Sequence, residues 1–199
     1  MAMQRINIKI SGINPLLQNN PQTVDPFNRF SKAKKKITNK RTGKTDDDLL
    51  ELGDIETESK IYFDDNLGVY VPATWLTESI ITNGYAIAKI GRQKMRGGLF
   101  ADNDKIALDY RSKSKVKTIT DIVKNPEFRH RMLLKQGPVR VPKDAPIFHE
   151  WSFETVLIFD DTVVDFGSLK NIIERSAQYG GFGDFRPTFG RGKAVVTNV

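Results

Sequence analysis

The stretch "IFHEWSFETVLIF", residues 147–159, decides the fold, because from Trp151 onward Trp151, Phe153, Thr155, Leu157 and Phe159 recur at every second position. A period of two is that of a strand with one face against a core. Working back, Arg129–Val141 has the same extended character, and the intervening "PKDAP", residues 142–146, reads as a turn between two strands. Working forward, Ser168 opens a helix that turns Leu169, Ile172, Ile173 and Ala177 inward, and Gly180 stands where a left-handed helix cap belongs. A last strand runs over Lys193–Val199.

The first third supplies the remaining elements. Ile6, Ile8 and Ile10 alternate with Asn7, Lys9 and Ser11 and predict a strand. "KIYFDDNLGVYVP", residues 60–72, predicts a hairpin around Asp65 and Asn66. Thr74 then caps a helix with Leu76, Ile80, Ile87 and Ala88 on one face. The resulting order is β-α-β-β-α-β, an α+β chain of ferredoxin-like arrangement. A length of 199 residues suits one domain, 1–199, with two polar insertions, 18–60 and 92–125, flanking the first helix.

Thirty-one Lys and Arg against twenty-four Asp and Glu leave a net charge of +7, which suits a polyanionic partner. The bases are unevenly placed. Arg29 to Lys44 holds eight of them and no acid, and the chain then turns acidic at Asp46, Asp47, Asp48 and Glu51. Mutual repulsion makes this block read as a mobile arm or helical protrusion. Lys34, Lys35, Lys36, Lys40 and Arg41 are its candidate phosphate contacts. The acids after it read as the first turn of a helix, where the macrodipole favours them.

The second candidate is "GGFGDFRPTFGRG", residues 180–192. Closely spaced glycines such as Gly181 and Gly183 allow successive N–H groups to form an anion nest. Arg186, Arg191 and the following Lys193 add charge, and Phe185 and Phe189 offer rings to unpaired bases. Against this stands the ordinary use of glycine as a cap and of phenylalanine as core, which applies equally to Phe182, Trp75 and Trp151.

Gly181-Phe182-Gly183 and Gly190-Arg191-Gly192, six residues apart, resemble the C-terminal glycine-rich loop of the RAMP superfamily, the RRM-like CRISPR backbone and processing proteins. The spacer is one residue longer than usual, and Arg191 stands where that loop carries a hydrophobic residue. The wider pattern, from "VYVPATWL" through "FHEWSFE" to the glycine loop, resembles a group of small proteins carried by bacteriophages and prophages. The resemblance implies a palm-like core, with 18–60 as a thumb-like insertion.

Other chemistry is poorly supported. There is no cysteine, so disulfides and thiolate metal sites are excluded. Gly43-Lys44-Thr45 lacks the first glycine and the preceding strand of a P-loop. Asp46–Asp48 lack the alternation of a calcium loop. His130 and His149 have no partner at a spacing that fixes an acid–base pair. No cofactor, no metal and no membrane segment are expected. The reading is a non-enzymatic protein that binds single-stranded nucleic acid, RNA or DNA, in the cytoplasm of a bacterial host cell, assembling along the strand as a homo-oligomer. Two alternatives stay open: a protein-interaction module that mimics or inhibits a CRISPR or host-defence subunit, and a metal-independent endoribonuclease.

Overall fold

A computed structural model describes residues 3–41, 43–113 and 116–199. In chain order the elements are β1 (Met3–Gly12), β2 (Leu16–Leu17), α1 (Arg29–Thr38), α2 (Asp46–Lys60), β3 (Phe63–Asp64), β4 (Gly68–Pro72), α3 (Ala73–Ala88), α4 (Arg92–Gly97), β5 (Leu99–Ala101), β6 (Lys105–Ala107), β7 (Asp109–Tyr110), α5 (Ile119–Lys124), β8 (Arg129–Gln136), β9 (Val139–Phe148), β10 (Trp151–Asp160), α6 (Phe166–Arg175) and β11 (Gly192–Asn198). The fold is α+β with antiparallel sheets. The chain divides into two compact units, unit 1 from Met1–Leu16, Asp64–Arg111 and His149–Val199, and unit 2 from Leu17–Phe63 and Ser112–Phe148.

Unit 1 is built on a sheet of order β11-β1-β10-β5, with β7 also pairing β10. Central β1 sets Ile8 opposite Thr155 of β10 and opposite Val196 of β11. Alternation then sends Ile6, Ile8 and Ile10 to the same buried layer as Trp151, Phe153, Leu157 and Phe159, as their spacing predicts. Leu169, Ile172 and Ile173 of α6 and Leu76 and Ile80 of α3 complete this core. A small sheet, β3-β4-β6, includes the hairpin around Asp65 and Asn66, whose turn is tied by the Asp64 carboxylate accepting the N–H groups of Asn66 and Leu67.

Three local expectations change. Helix α3 begins at Ala73 after Pro72, without a side-chain cap from Thr74, and Lys89 takes the left-handed position at its end. Asp165, accepting from the Ser168 N–H, caps α6. That helix continues into a π-helical turn, Ser176–Gly180, which moves the positive-φ residue from Gly180 to Gly181.

The larger correction concerns strand partners. Arg129–Val141 was expected beside the Ile147–Phe159 strand in the main sheet, but that place belongs to β5 and β7. β8 instead pairs along its length with β9 in unit 2, from Arg129 opposite Pro146 to Gln136 opposite Val139. The residues Pro142–Pro146 therefore lie inside β9, and the turn falls at Gly137, whose φ is +61°. Proline lacks only its own N–H, and its φ suits an extended chain, so a pair of prolines can imitate a turn in sequence and still ride in a ladder. The segment 92–125 is likewise divided, with α4 to β7 in unit 1 and α5 in unit 2.

Unit 2 gathers α1, α2, α5 and the β8–β9 hairpin. Ile37, Phe30, Ile61, Ile122, Phe128 and Phe148 are among its buried apolar residues, and the Phe128 and Phe148 rings lie 5.7 Å apart. Helix α2 opens on a capping box in which the Thr45 hydroxyl accepts from the Asp48 N–H and the Asp48 carboxylate accepts from the Thr45 N–H. Of the two forms expected for the basic block, a mobile arm or a helical protrusion, the structure has a helix. Ten of the block's residues form α1, which turns Phe30, Ser31 and Ile37 inward and packs on α2.

Candidate nucleic-acid interface

Several amides of the glycine stretch in unit 1 donate to nearby carbonyls. Gly181 N–H donates to Ser176 O at 2.9 Å, Phe182 N–H to Gly190 O at 2.8 Å, Phe189 N–H to Phe185 O at 3.2 Å and Gly190 N–H to Pro15 O at 2.8 Å. The N–H groups of Gly181, Phe182 and Gly190 are therefore already given to carbonyls, which takes Gly181 out of the expected nest. Glycine is needed here for packing: a Cβ on Gly190, whose φ is +74°, would lie 1.8 Å from Phe182 O, and one on Gly181 would lie 3.1 Å from Phe189 O and Gly190 O. Phe182 is wholly buried, meeting Phe153 and Trp151 edge-on at 5.5 and 6.4 Å.

One residue that the sequence does not advertise fastens this loop. Asn14 donates from Nδ2 to Thr188 O and accepts at Oδ1 from Arg191 N–H, both at 2.7 Å, while its carbonyl accepts from Trp151 Nε1 at 2.8 Å. Ile13 N–H adds a bond to Arg191 O at 2.8 Å. What stays outward is side chain. Phe185, Arg186, Arg191 and Lys193 are exposed, Gly183 and Phe189 are half-buried, and Phe185 holds a positive φ of 53°. A non-glycine residue in that region is strained by about 1–2 kcal/mol, so the ring is held out by the loop around it.

In unit 2 the predicted bases split by helical face. Lys34 lies on the inward side of α1 and donates to Glu56 Oε1 at 2.9 Å, and Lys40 pairs with Asp48. Lys35, Lys36 and Arg41 are exposed. Glu56 and Asp144 are buried, and a cluster of bases explains how unit 2 tolerates them. Glu56 also accepts from Lys143 Nζ at 3.1 Å and from Asp144 N–H at 3.1 Å. Asp144 accepts two parallel bonds from Arg131, both at 2.8 Å, and its carbonyl takes a bond from Lys60.

These contacts shift protonation. Burial alone would push the Glu56 carboxyl up, but the hydrogen bonds from Lys34 and the Asp144 N–H and the nearby Lys34 charge hold it below the usual carboxylate range. Burial opposes ionisation at Asp54 too, and the bonds from Lys124 and Arg129 outweigh it, leaving its carboxyl lowered. The Lys60 ammonium is pushed down, chiefly by burial.

The charge of the two units differs outright. Unit 2 holds 18 of the 31 Lys and Arg and 11 of the 24 Asp and Glu, so the whole surplus of +7 lies there; unit 1, with 13 of each, is neutral. Sequence reading found the block at Arg29–Lys44 but not this division, because unit 2 is assembled from two separated segments.

The histidines are not brought together. His130 is half-buried on β8 opposite Ala145, and His149 is exposed between β9 and β10. Among the described residues no three His, Asp or Glu side chains gather as a metal site, and no helix is long and apolar enough to cross a membrane.

No family model matches this sequence, and no curated protein matches it. Among solved structures, the chain is similar in fold to a chain in the cryo-EM structure of the Type III-B Cmr-beta bound to cognate target RNA, at 12% identity and a TM-score of 0.52. The match covers 98% of this chain and 61% of the other, so this protein spans about three-fifths of its neighbour's length.

Proposed function

We propose that this protein binds single-stranded nucleic acid without catalysis, on a RAMP-like core of ferredoxin-like kind, through a phosphate-binding surface centred on the outer face of α1. The observation that carries the reading is the confinement of the +7 surplus to unit 2, where Lys35, Lys36 and Arg41 stay exposed after Lys34 and Lys40 have been taken by carboxylates. Uncompensated cations on a compact surface draw phosphates by releasing condensed counterions. The fold neighbour is a chain of a complex bound to target RNA, which supports the same partner class. Arg186, Arg191 and Lys193 on unit 1 serve as a second, weaker set of contacts, acting through side chains alone.

The test is a salt titration of binding to mixed-sequence RNA and DNA single strands, followed by fluorescence polarisation. For three phosphate contacts on a single strand, the variant K35A/K36A/R41A is expected to lower the slope of log affinity against log salt by about 2. Wild-type binding that ignores salt, or an unchanged slope in the variant, overturns the reading.

A further inference from the structure

Unit 2 carries an exposed ring that the charge argument leaves unused. Phe27 is 78% exposed, and Val24, three residues earlier, is 83% exposed. A large apolar side chain in that position gives up the burial a core would offer, so what holds it out matters. The backbone does. Asp25 Oδ1 accepts from Phe27 N–H at 2.9 Å, Asn28 N–H donates to Asp25 O at 3.2 Å, and Asn28 Oδ1 accepts from Phe30 N–H at 2.9 Å, capping α1. Pro26 stiffens the same turn. Phe27 is thus presented from a fixed corner at the start of the basic helix.

Its surroundings are cationic. Lys32 Nζ stands 6.0 Å from the centre of the Phe27 ring. Lys32, Lys35 and Lys36 follow one another at helical spacing on the face of α1 opposite Phe30 and Ile37, and all three are exposed. Asp25, two residues before Phe27, keeps one negative charge there while one of its oxygens accepts the Phe27 N–H, and Glu58 is paired with Arg29 at 3.1 Å, so the lysines outnumber the acids beside the ring. An apolar ring flanked by ammonium groups matches one chemistry well: an unpaired base, whose flat face stacks on the ring while its own phosphate and the next meet the lysines. The outer face of the main sheet in unit 1 also carries one exposed ring, Phe100 of β5 opposite Ile158, but the outward positions of β1, β10 and β11 are polar, charged or aliphatic.

We infer that Phe27 is a base-stacking platform, and that Lys32, Lys35 and Lys36 hold the backbone of the stacked nucleotide. This rests on the proposed binding of single strands and adds to it a site that reads the base as well as the phosphate.

The experiment compares wild type, F27A, F27W and K32A on a pyrimidine DNA strand and on an abasic strand with the same number of phosphates, each across a salt series. Wild type is expected to bind the base-bearing strand at least about fivefold more tightly than the abasic one, the effect of one stacked base. F27A loses that preference while keeping its salt slope, F27W retains it, and K32A lowers the slope. Thermal unfolding of F27A should match wild type, because the exposed ring supports no core. If wild type shows no preference for bases, or if F27A keeps it, the platform is refuted and the phosphate surface stands. If wild type binds neither strand, both readings fall together.

Discussion

Unit 1 balances thirteen bases with thirteen acids and satisfies its most polar loop from within, whereas unit 2 keeps seven uncompensated cations although it buries Glu56 and Asp144. The two units also use glycine and lysine against expectation. The glycine-rich stretch, which reads as a ligand cradle, is a packing joint closed by Asn14, Pro15 and its own carbonyls. The lysine-rich stretch, which reads as a mobile arm or a helical protrusion, is a docked helix with an inner face of ion pairs and an outer face left to solvent. Density of suggestive residues is therefore a poor guide to which segment meets a partner. The better guide is what remains after internal bonds have been counted.

The sharpest way to break this comparison is at Gly190. If the loop is a joint, G190A forces a Cβ toward the Phe182 carbonyl and places alanine at φ +74°, and the expected cost exceeds about 3 kcal/mol. Urea unfolding followed by circular dichroism measures it. G43A in unit 2, where no atom lies within 4 Å, should stay within about 0.5 kcal/mol of wild type. A stable G190A protein with weakened nucleic-acid binding would return the loop to the role of a cradle.

Next in size is the buried charge of unit 2. E56Q keeps the shape of the side chain and strands Lys34 and Lys143 without their anion. Breaking a fully buried pair costs about 3–5 kcal/mol, and because both lysines partly reach water the expected loss here is about 2–3 kcal/mol. The sign of the pH effect follows from the lowered Glu56 carboxyl. Its stabilisation is present above the ordinary glutamate value of about 4.3 and is lost as pH falls through the lower folded value. Wild-type stability should thus fall on acidification below about pH 4, and E56Q should show a flatter dependence. An equal acid response in the two proteins would mean that the cluster contributes no stability.

How much of this was readable beforehand depends on range along the chain. Ile6, Ile8 and Ile10 and the alternation from Trp151 to Phe159 gave their strands correctly, because a two-residue period is set by each strand's own burial. The partner of Arg129–Gln136 was not readable, since β8 and β10 carry comparable patterns and nothing local says which strand β9 or β10 will join. β5 was too short to declare itself, at three residues. At the candidate site, the outward Lys35, Lys36 and Arg41 were found by composition, but the loss of Lys34 and Lys40 to ion pairs required α2 to be in place. Asn14 had no signal at all, because its partners Thr188 and Arg191 lie more than 170 residues away.

The smallest expected effect sharpens the contrast from the side of unit 1. Arg186 and Arg191 are exposed and make no ion pair among the described residues, yet they project from a neutral unit in which the N–H groups of Phe185, Gly190 and Arg191 already have acceptors. Each then contributes as a single charge, without the backbone N–H groups that turn a loop into an anion site. Replacing both by alanine should reduce the salt slope by no more than about 1.4, less than the change from K35A/K36A/R41A, and should leave the preference for base-bearing over abasic strands unaltered. The Asn14 bonds run to backbone atoms of Thr188 and Arg191, so they survive the substitution and stability is expected to hold. A larger loss of affinity from these two arginines than from the α1 triple variant would invert the ranking of the units. It would also mean that local geometry at the loop outweighs the surplus of charge on unit 2.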